Sequence, residues 1–250
     1  MGHLGFVETP HVTGVAPVLA DVRVLPPKSL NTSVYLDLNR FSRNTAWAHP
    51  FMHAYALWLG PVLLTLLFVV AYAVVWRRRA PQAAAVLILG GVGTIMALGL
   101  NQLVARAAEE LRPYVTYPHA LVLVARTGDY SFPSDHSIVA GGLTASLLLV
   151  LGKSVWSRRH AGGKAGDFRR PRDRRAGWLL AVLAVTNVIL GLFLCFARVY
   201  VGAHYPGDVV AGYLLSFLVV VVVSLLRPVA YWAVDAVDST ALAALFRRPA

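Results

Sequence analysis

The sequence predicts an all-α, polytopic transmembrane bundle of about five spans, with an interfacial helix at its N-terminal end. Three observations lead there. Apolar residues make up 57% of the 250-residue chain and charged residues 14%, where soluble domains carry about a quarter charged; mean hydropathy is +0.61. The apolar residues form continuous runs, and a run in lipid must satisfy its backbone within a helix, however many β-branched residues it holds. The basic residues collect in alternate gaps between the runs, the pattern that topology imposes.

Residues 1–30 show little pattern and read as an N-terminal tail, expected to be disordered; with no basic start followed by an apolar core, no cleavable signal peptide is expected. From Ser33 to His53, Val34, Leu38 and Phe41 recur at helical spacing before Trp47, as in a helix lying at the outer interface. Ala54 to Trp76 and Gln82 to Val104 carry no charge and are long enough to cross about 30 Å of hydrocarbon at about 1.5 Å per residue. Ser137 to Gly152 is shorter and places His136 and Lys153 near the two interfaces. Gly177 to Ala197 and the Val- and Leu-rich Val209 to Leu226 complete the set. The embedded domain thus covers 31–228, with spans near 54–76, 82–104, 136–152, 177–198 and 208–226. A weakly amphipathic tail, 229–250, falls on the inner side, and no internal repeat is present.

The formal charge of +11 is distributed by topology. Arg77, Arg78 and Arg79 follow the first span, nine Lys and Arg lie between Lys153 and Arg175, and Arg227 follows the fifth. With alternating spans these fall on one side, the cytoplasmic one. The Lys153–Arg175 gap lacks aromatic interleaving beyond Trp156 and Phe168, so the charge does not point to a nucleic-acid partner. Cys195 stands alone inside an apolar run, which excludes an intrachain disulfide framework and a multi-cysteine metal site.

The opposite side receives three polar motifs: Arg112-Pro113, Pro133-Ser134-Asp135-His136, and Arg198 with His204 and Asp208. Ionisable residues near a membrane are costly, so a functional site is the default reading. The spacing of four lets Asp208 reach the His204 imidazole, fix its tautomer and leave the other nitrogen to attack phosphorus; it equally suits an ordinary ion pair at a helix start. Ser134 can cap a helix whose free amides suit a phosphate, with His136 in its first turn as a proton donor or simply an interfacial histidine. Arg112 and Arg198 match phosphate oxygens bidentately, or anchor headgroups. Arg106 pairs with Glu109 or Glu110 at helical spacing, or turns into the pocket. Nothing in the sequence suggests a metal or other cofactor, and arginines can supply the charge stabilisation that phosphoryl transfer needs.

From about Asn101 to Gly212 these motifs resemble those of the type 2 phosphatidic acid phosphatase superfamily: Lys, six residues, Arg-Pro; Pro-Ser-Gly-His; and Ser-Arg, five residues, His, three residues, Asp. The resemblance implies that His204 is the nucleophile, Asp208 its orienting partner and His136 the acid to the leaving group. Arg112, Arg198 and Ser134, with Asp135 and Arg106 beside them, would hold the phosphate. Ala105 stands at the lysine position, and Arg106, one residue on, points about 100° away on an ideal helix. Asp135 replaces the glycine and Ala197 the serine. Ser131 to His136, Arg112-Pro113-Tyr114 with Pro118-His119, and the stretch around Asp37, Asn39 and His49 are similar to the bacterial undecaprenyl-diphosphate phosphatase branch. That branch implies a multi-pass plasma-membrane enzyme with an extracytoplasmic site, acting on a polyprenyl diphosphate among membrane lipids. A phosphatidylglycerol phosphate or phosphatidic acid phosphatase is the rival within the class. A lipid-binding scaffold or transporter is the rival outside it, although binding alone needs no paired acid and nucleophile. Oligomeric state is not readable from the sequence.

Overall fold

A computed structural model of the chain describes residues 29–78, 80–160 and 171–238, with no side chains described at 153–160, 171–174 and 233–238. The tail over residues 1–28, the centre of the basic gap at 161–170 and the end of the chain at 239–250 lie outside the described residues. Among the described residues there are helices and no strands, and five helical stretches are long and apolar enough to cross a membrane.

Helix α1 (Leu30–Asn44) starts where the Ser29 hydroxyl accepts from the Thr32 amide at 3.2 Å. It buries Tyr35, Asn39 and Ser42 and leaves Val34 and Phe41 exposed, which gives it the two faces expected of an interfacial helix. The amphipathic stretch expected to run from Ser33 to His53 is broken. Thr45 leaves helical geometry (φ −123°, ψ 45°), and its hydroxyl donates back to the Phe41 carbonyl at 2.9 Å. A 3₁₀ turn (Ala46–Ala48) and α2 (His49–Ala54) then belong to the first spanning stretch, Ala46–Arg77. That stretch passes through a π turn (Tyr55–Leu59) into α3 (Gly60–Arg77), with Pro61 in the first turn of α3. Proline has no N–H to continue the α register, and π turns commonly mark such places.

Helix α4 (Pro81–Ala108) ends on Glu109 in the left-handed region, φ 48°. A single turn, α5 (Pro113–Thr116), and an irregular segment over 117–134 follow, closing on a cis Phe132-Pro133 bond. The remaining helices are α6 (Asp135–His160), α7 (Pro171–Tyr200), α8 (Pro206–Val223) and α9 (Arg227–Asp238).

Helix α6 is the most enclosed of the five spanning stretches, with α4, α7 and α8 packed around it. Lipid gives no hydrophobic drive between helices, so close backbone approach through small residues holds them instead. A Cβ on Gly141 would strike the Tyr213 carbonyl, and one on Gly142 would strike Thr94 and Ser216. Asn187 is fully buried between helices and accepts from the Thr144 hydroxyl at 3.0 Å. The two ends of the bundle differ. Arg77, Arg78 and Arg175 converge at one; the 117–134 segment and the α7–α8 turn meet at the other, joined by a bond from the Leu123 amide to the Val201 carbonyl at 2.9 Å. Asn39 clamps this segment from α1, donating to the Leu121 carbonyl at 2.7 Å and accepting from the Leu121 amide at 3.0 Å, while Arg43 donates to the His119 carbonyl.

Candidate active site

The turn from Val201 to Tyr205 reverses the chain between α7 and α8, and Gly202 makes it possible with φ 80°, a conformation glycine adopts without penalty. His204 leaves this turn only 2% exposed. Its Nδ1 lies 2.8 Å from the Ser131 carbonyl, which only an N–H can satisfy, so Nδ1 carries the proton and Nε2 keeps its lone pair. That lone pair faces Arg112 Nη1 at 3.3 Å and Arg198 Nη2 at 3.2 Å. Burial is the largest influence on the ring and pushes its pKa down. Asp208 pulls upward and the charges of Arg198 and Arg112 push down again, leaving a neutral imidazole near pH 7. The site therefore presents an unprotonated nitrogen between two guanidiniums, an arrangement chemically able to attack an anion that the arginines hold.

Asp208 is fully buried in the first turn of α8. The sequence places it directly on His204, and the two approach to 3.5 Å. The tighter bonds run elsewhere: Asp208 Oδ2 accepts from the Ser131 hydroxyl at 2.5 Å and from the Tyr205 amide at 2.9 Å. Ser131 thus touches both partners, its carbonyl holding His204 and its hydroxyl holding Asp208. Gly212 lets α8 come against this segment, since a Cβ there would meet the Ser134 carbonyl at 2.6 Å.

Ser134 does not use its hydroxyl as a helix cap. Its Oγ is buried with no hydrogen-bond partner, and so is Arg198 Nε. Buried polar atoms are nearly always paired, so these two donors, one on the arginine that touches His204 and one on the residue whose amide bonds the Asp208 carbonyl, are free to meet a ligand's oxygens. Arg198 Nη1 donates to the Ala56 carbonyl at 3.4 Å. That acceptor is open because the Gly60 amide bonds instead to Tyr55, in π register, and Pro61 has no N–H to donate. His136, half-buried in the first turn of α6, interacts with the Leu57 backbone on the same turn and feels the charges of Arg198, His204 and Arg112. It therefore belongs to the same cluster.

The structure brings together His136, His204, Asp208, Arg112, Arg198 and Ser134. It does not bring Arg106 there: the residue is exposed in the last turn of α4, with no hydrogen bond or ion pair to the cluster. Asp135 is exposed, and its Oδ1 accepts from Asn101 Nδ2 at 2.7 Å. Through this bond Asp135 ties α6 to α4. Arg112 departs from expectation too, because its bidentate fork is occupied by Asp129 at 3.1 and 2.7 Å. Burial raises the Asp129 pKa, but the bonds from Arg112 and Thr127 and the arginine's charge outweigh it and hold the carboxyl at about 2. Among the described residues, no group of three or more His, Cys, Asp or Glu is arranged to hold a metal ion. Ser131 and Asp129 are the residues that sequence reasoning leaves out of the site. Ser131 has a signal, as the first residue of the Ser131–His136 stretch; Asp129 has none beyond lying two residues earlier.

Comparison with known proteins identifies relatives of the chain. The profile of the PAP2 superfamily matches residues 84–232. Undecaprenyl-diphosphatase BcrC of Bacillus subtilis is 30% identical over 175 residues, 67% of this chain and 75% of that protein. An undecaprenyl-diphosphatase of Sulfolobus acidocaldarius is 25% identical over 125 residues, 50% of this chain and 47% of that one. The bacitracin transport permease protein BcrC of Bacillus licheniformis is 23% identical, with 76% of each chain covered. The crystal structure of a transmembrane PAP2-type phosphatidylglycerolphosphate phosphatase from Bacillus subtilis superposes with a TM-score of 0.51 at 18% identity, covering 79% of this chain and 86% of that one.

Proposed function

Because this chain belongs to the PAP2 superfamily, we propose that its three motifs form a metal-independent lipid phosphatase site that converts a polyprenyl diphosphate, undecaprenyl diphosphate foremost, to the monophosphate. The observation that carries this reading is the unprotonated Nε2 of His204, with Arg112 and Arg198 donors at 3.3 and 3.2 Å and the unpaired Ser134 Oγ and Arg198 Nε beside it. The substrate is supported by the 30% identity to the Bacillus subtilis undecaprenyl-diphosphatase.

The terminal phosphoryl group sits with its oxygens on Arg198 and Ser134, and the isoprenoid tail extends between spans into lipid. His204 Nε2 attacks phosphorus in line. The bond to the bridging oxygen breaks, and His136 gives that oxygen a proton, so the lipid monophosphate departs. Guanidinium charge stabilises the equatorial oxygens throughout. Water then attacks the phosphohistidine, His136 takes the water's proton, and the P–N bond breaks to release inorganic phosphate and restore Nε2. Asp208 and the Ser131 carbonyl keep the attacking tautomer in place. The site opens on the extracytoplasmic side of the plasma membrane, opposite the arginine-rich end, and such an enzyme would return a lipid carrier to use in cell-wall synthesis.

His204→Ala in the purified, folded protein is expected to abolish phosphate release from undecaprenyl diphosphate, while EDTA leaves the wild-type rate unchanged. Full activity in the variant would overturn the nucleophile, and loss of activity with EDTA would overturn metal independence. Rates on phosphatidylglycerol phosphate and phosphatidic acid in the same detergent decide the substrate, with the diphosphate expected to be fastest.

A further inference from the structure

Arg112 does not face the pocket with a vacant fork. Its Nε donates to Asp129 Oδ1 at 3.1 Å and its Nη2 to Oδ2 at 2.7 Å, the paired geometry with which arginine also grips phosphate. Nη1 is left for the Ala203 carbonyl at 3.1 Å and for His204. Arg198, in contrast, keeps its Nε buried and unpaired. The pair is lopsided: the Arg112 side chain is 10% exposed and the Asp129 side chain 61%. The cation is fixed in the floor of the site and the anion stands at its mouth, on the irregular 117–134 segment. A carboxylate that is already largely hydrated gives up such a pair cheaply, whereas a buried one could not.

We propose that Asp129 is a built-in stand-in for a substrate phosphate, filling the Arg112 fork in the ligand-free site and displaced from it when the lipid diphosphate binds. The proposal rests on reading this cluster as a phosphatase centre. The reacting phosphate takes His204, Arg198 and Ser134 in the interior, and the second phosphate, nearer the mouth, claims Arg112. Two consequences follow from the charges. Arg112 and Arg198 both approach His204 Nε2, and with the pocket empty their mutual repulsion is offset by Asp129. After turnover, Asp129 competes for the fork with the phosphate groups of the products and so assists their release.

A rival role makes the opposite prediction. If Asp129 were a permanent brace that aims Nη1 at His204, removing it would loosen Arg112 and weaken anion binding. The test is a titration of inorganic pyrophosphate and methylene diphosphonate, two-phosphate anions able to reach both Arg198 and Arg112, against the full chain in detergent, read by thermal shift and by competitive inhibition. Asp129→Asn is expected to tighten both anions by roughly fivefold, the scale of a partly exposed ion pair, and to lower KM without raising kcat. Asp129→Ser, should the amide disturb the fork, carries the same expectation. In an Arg112→Ala background the effect should vanish, because a double-mutant cycle isolates the pairwise contribution. Unchanged or weaker anion binding in Asp129→Asn would overturn the proposal, and so would equal tightening in both backgrounds, which would make Asp129 a distant charge rather than an occupant of the fork. If wild type bound neither anion, the phosphatase reading itself would fall; if wild type and Asp129→Asn bound them equally, only this inference would.

Discussion

At the scale of single residues the site turns on a serine. Ser131 is fully buried, and it links Asp208 to the imidazole through its hydroxyl at 2.5 Å and its carbonyl at 2.8 Å. Removing the hydroxyl leaves Asp208 Oδ2 with the Tyr205 amide and a 3.5 Å approach to His204. A hydrogen bond to a charged group contributes about 1.5–3 kcal/mol, so Ser131→Ala is expected to lower kcat about tenfold to a hundredfold. KM should change little, because Ser131 holds His204, the proposed nucleophile, rather than the substrate, and steady-state kinetics on the lipid diphosphate would show the split. A tenfold rise in KM at constant kcat would contradict that role. His136, His204, Arg112, Arg198 and Asp208, which the structure gathers into one cluster, stood out in the sequence because residue type and fixed spacing express their chemistry. The stretch that Ser131 opens was visible but the contacts of Ser131 and Asp129 were not, because each forms only when the chain returns: Ser131 meets Asp208 from 77 residues away, and Asp129 meets Arg112 across 17 residues of mostly irregular chain. Arg106 stands outside the cluster for the converse reason, since a cation near the right position does not turn a helix toward the site.

At the scale of elements, the first span supplies more than a wall. The π turn at Tyr55–Leu59 sends the Gly60 amide to the Tyr55 carbonyl, and Pro61 has no amide hydrogen with which to take the next acceptor. The Ala56 carbonyl is thereby left for Arg198 at 3.4 Å, and the Leu57 backbone for His136. One irregular turn thus touches both Arg198 and His136, the residues proposed to grip the phosphate and to act as the acid. Pro61→Ala would restore a donor and favour a regular α register, which recaptures the acceptors now facing the site. The expected outcome is a helix at least as stable in thermal denaturation, since proline disfavours helix interiors, together with a several-fold loss of kcat. Unchanged kcat would mean that the turn is incidental to the site. The sequence carries Pro61 but does not announce this register shift, because hydropathy reports that a segment is apolar and not which carbonyl each amide finds. The break at Thr45 was hidden in the same way, since apolar spacing on both sides of it continues without interruption.

Across the whole molecule, lipid solvation and charge set the arrangement, and both were visible in the sequence. The number of spanning stretches followed from the length of apolar runs, and the separation of the basic end from the motif end followed from where charges could be afforded. Helix α3 carries this separation over 18 residues, about 27 Å at the usual rise, from the turn beside Arg198 to Arg77 at the far end. The positive-inside tendency predicts that Arg77, Arg78 and Arg175 lie in the cytoplasm, and with it that the 117–134 segment faces outward. Gly128 tests this cleanly: it is exposed on that segment, and a Cβ added there meets nothing within 4 Å. With Cys195, the single native cysteine, replaced by alanine, a Gly128→Cys variant is expected to react with a membrane-impermeant maleimide on intact cells. An Arg77→Cys variant should react only after the membrane is permeabilised. The reverse pattern would put the site on the cytoplasmic face, where the charge argument cannot place it, and would force the lipid diphosphate to be met from inside.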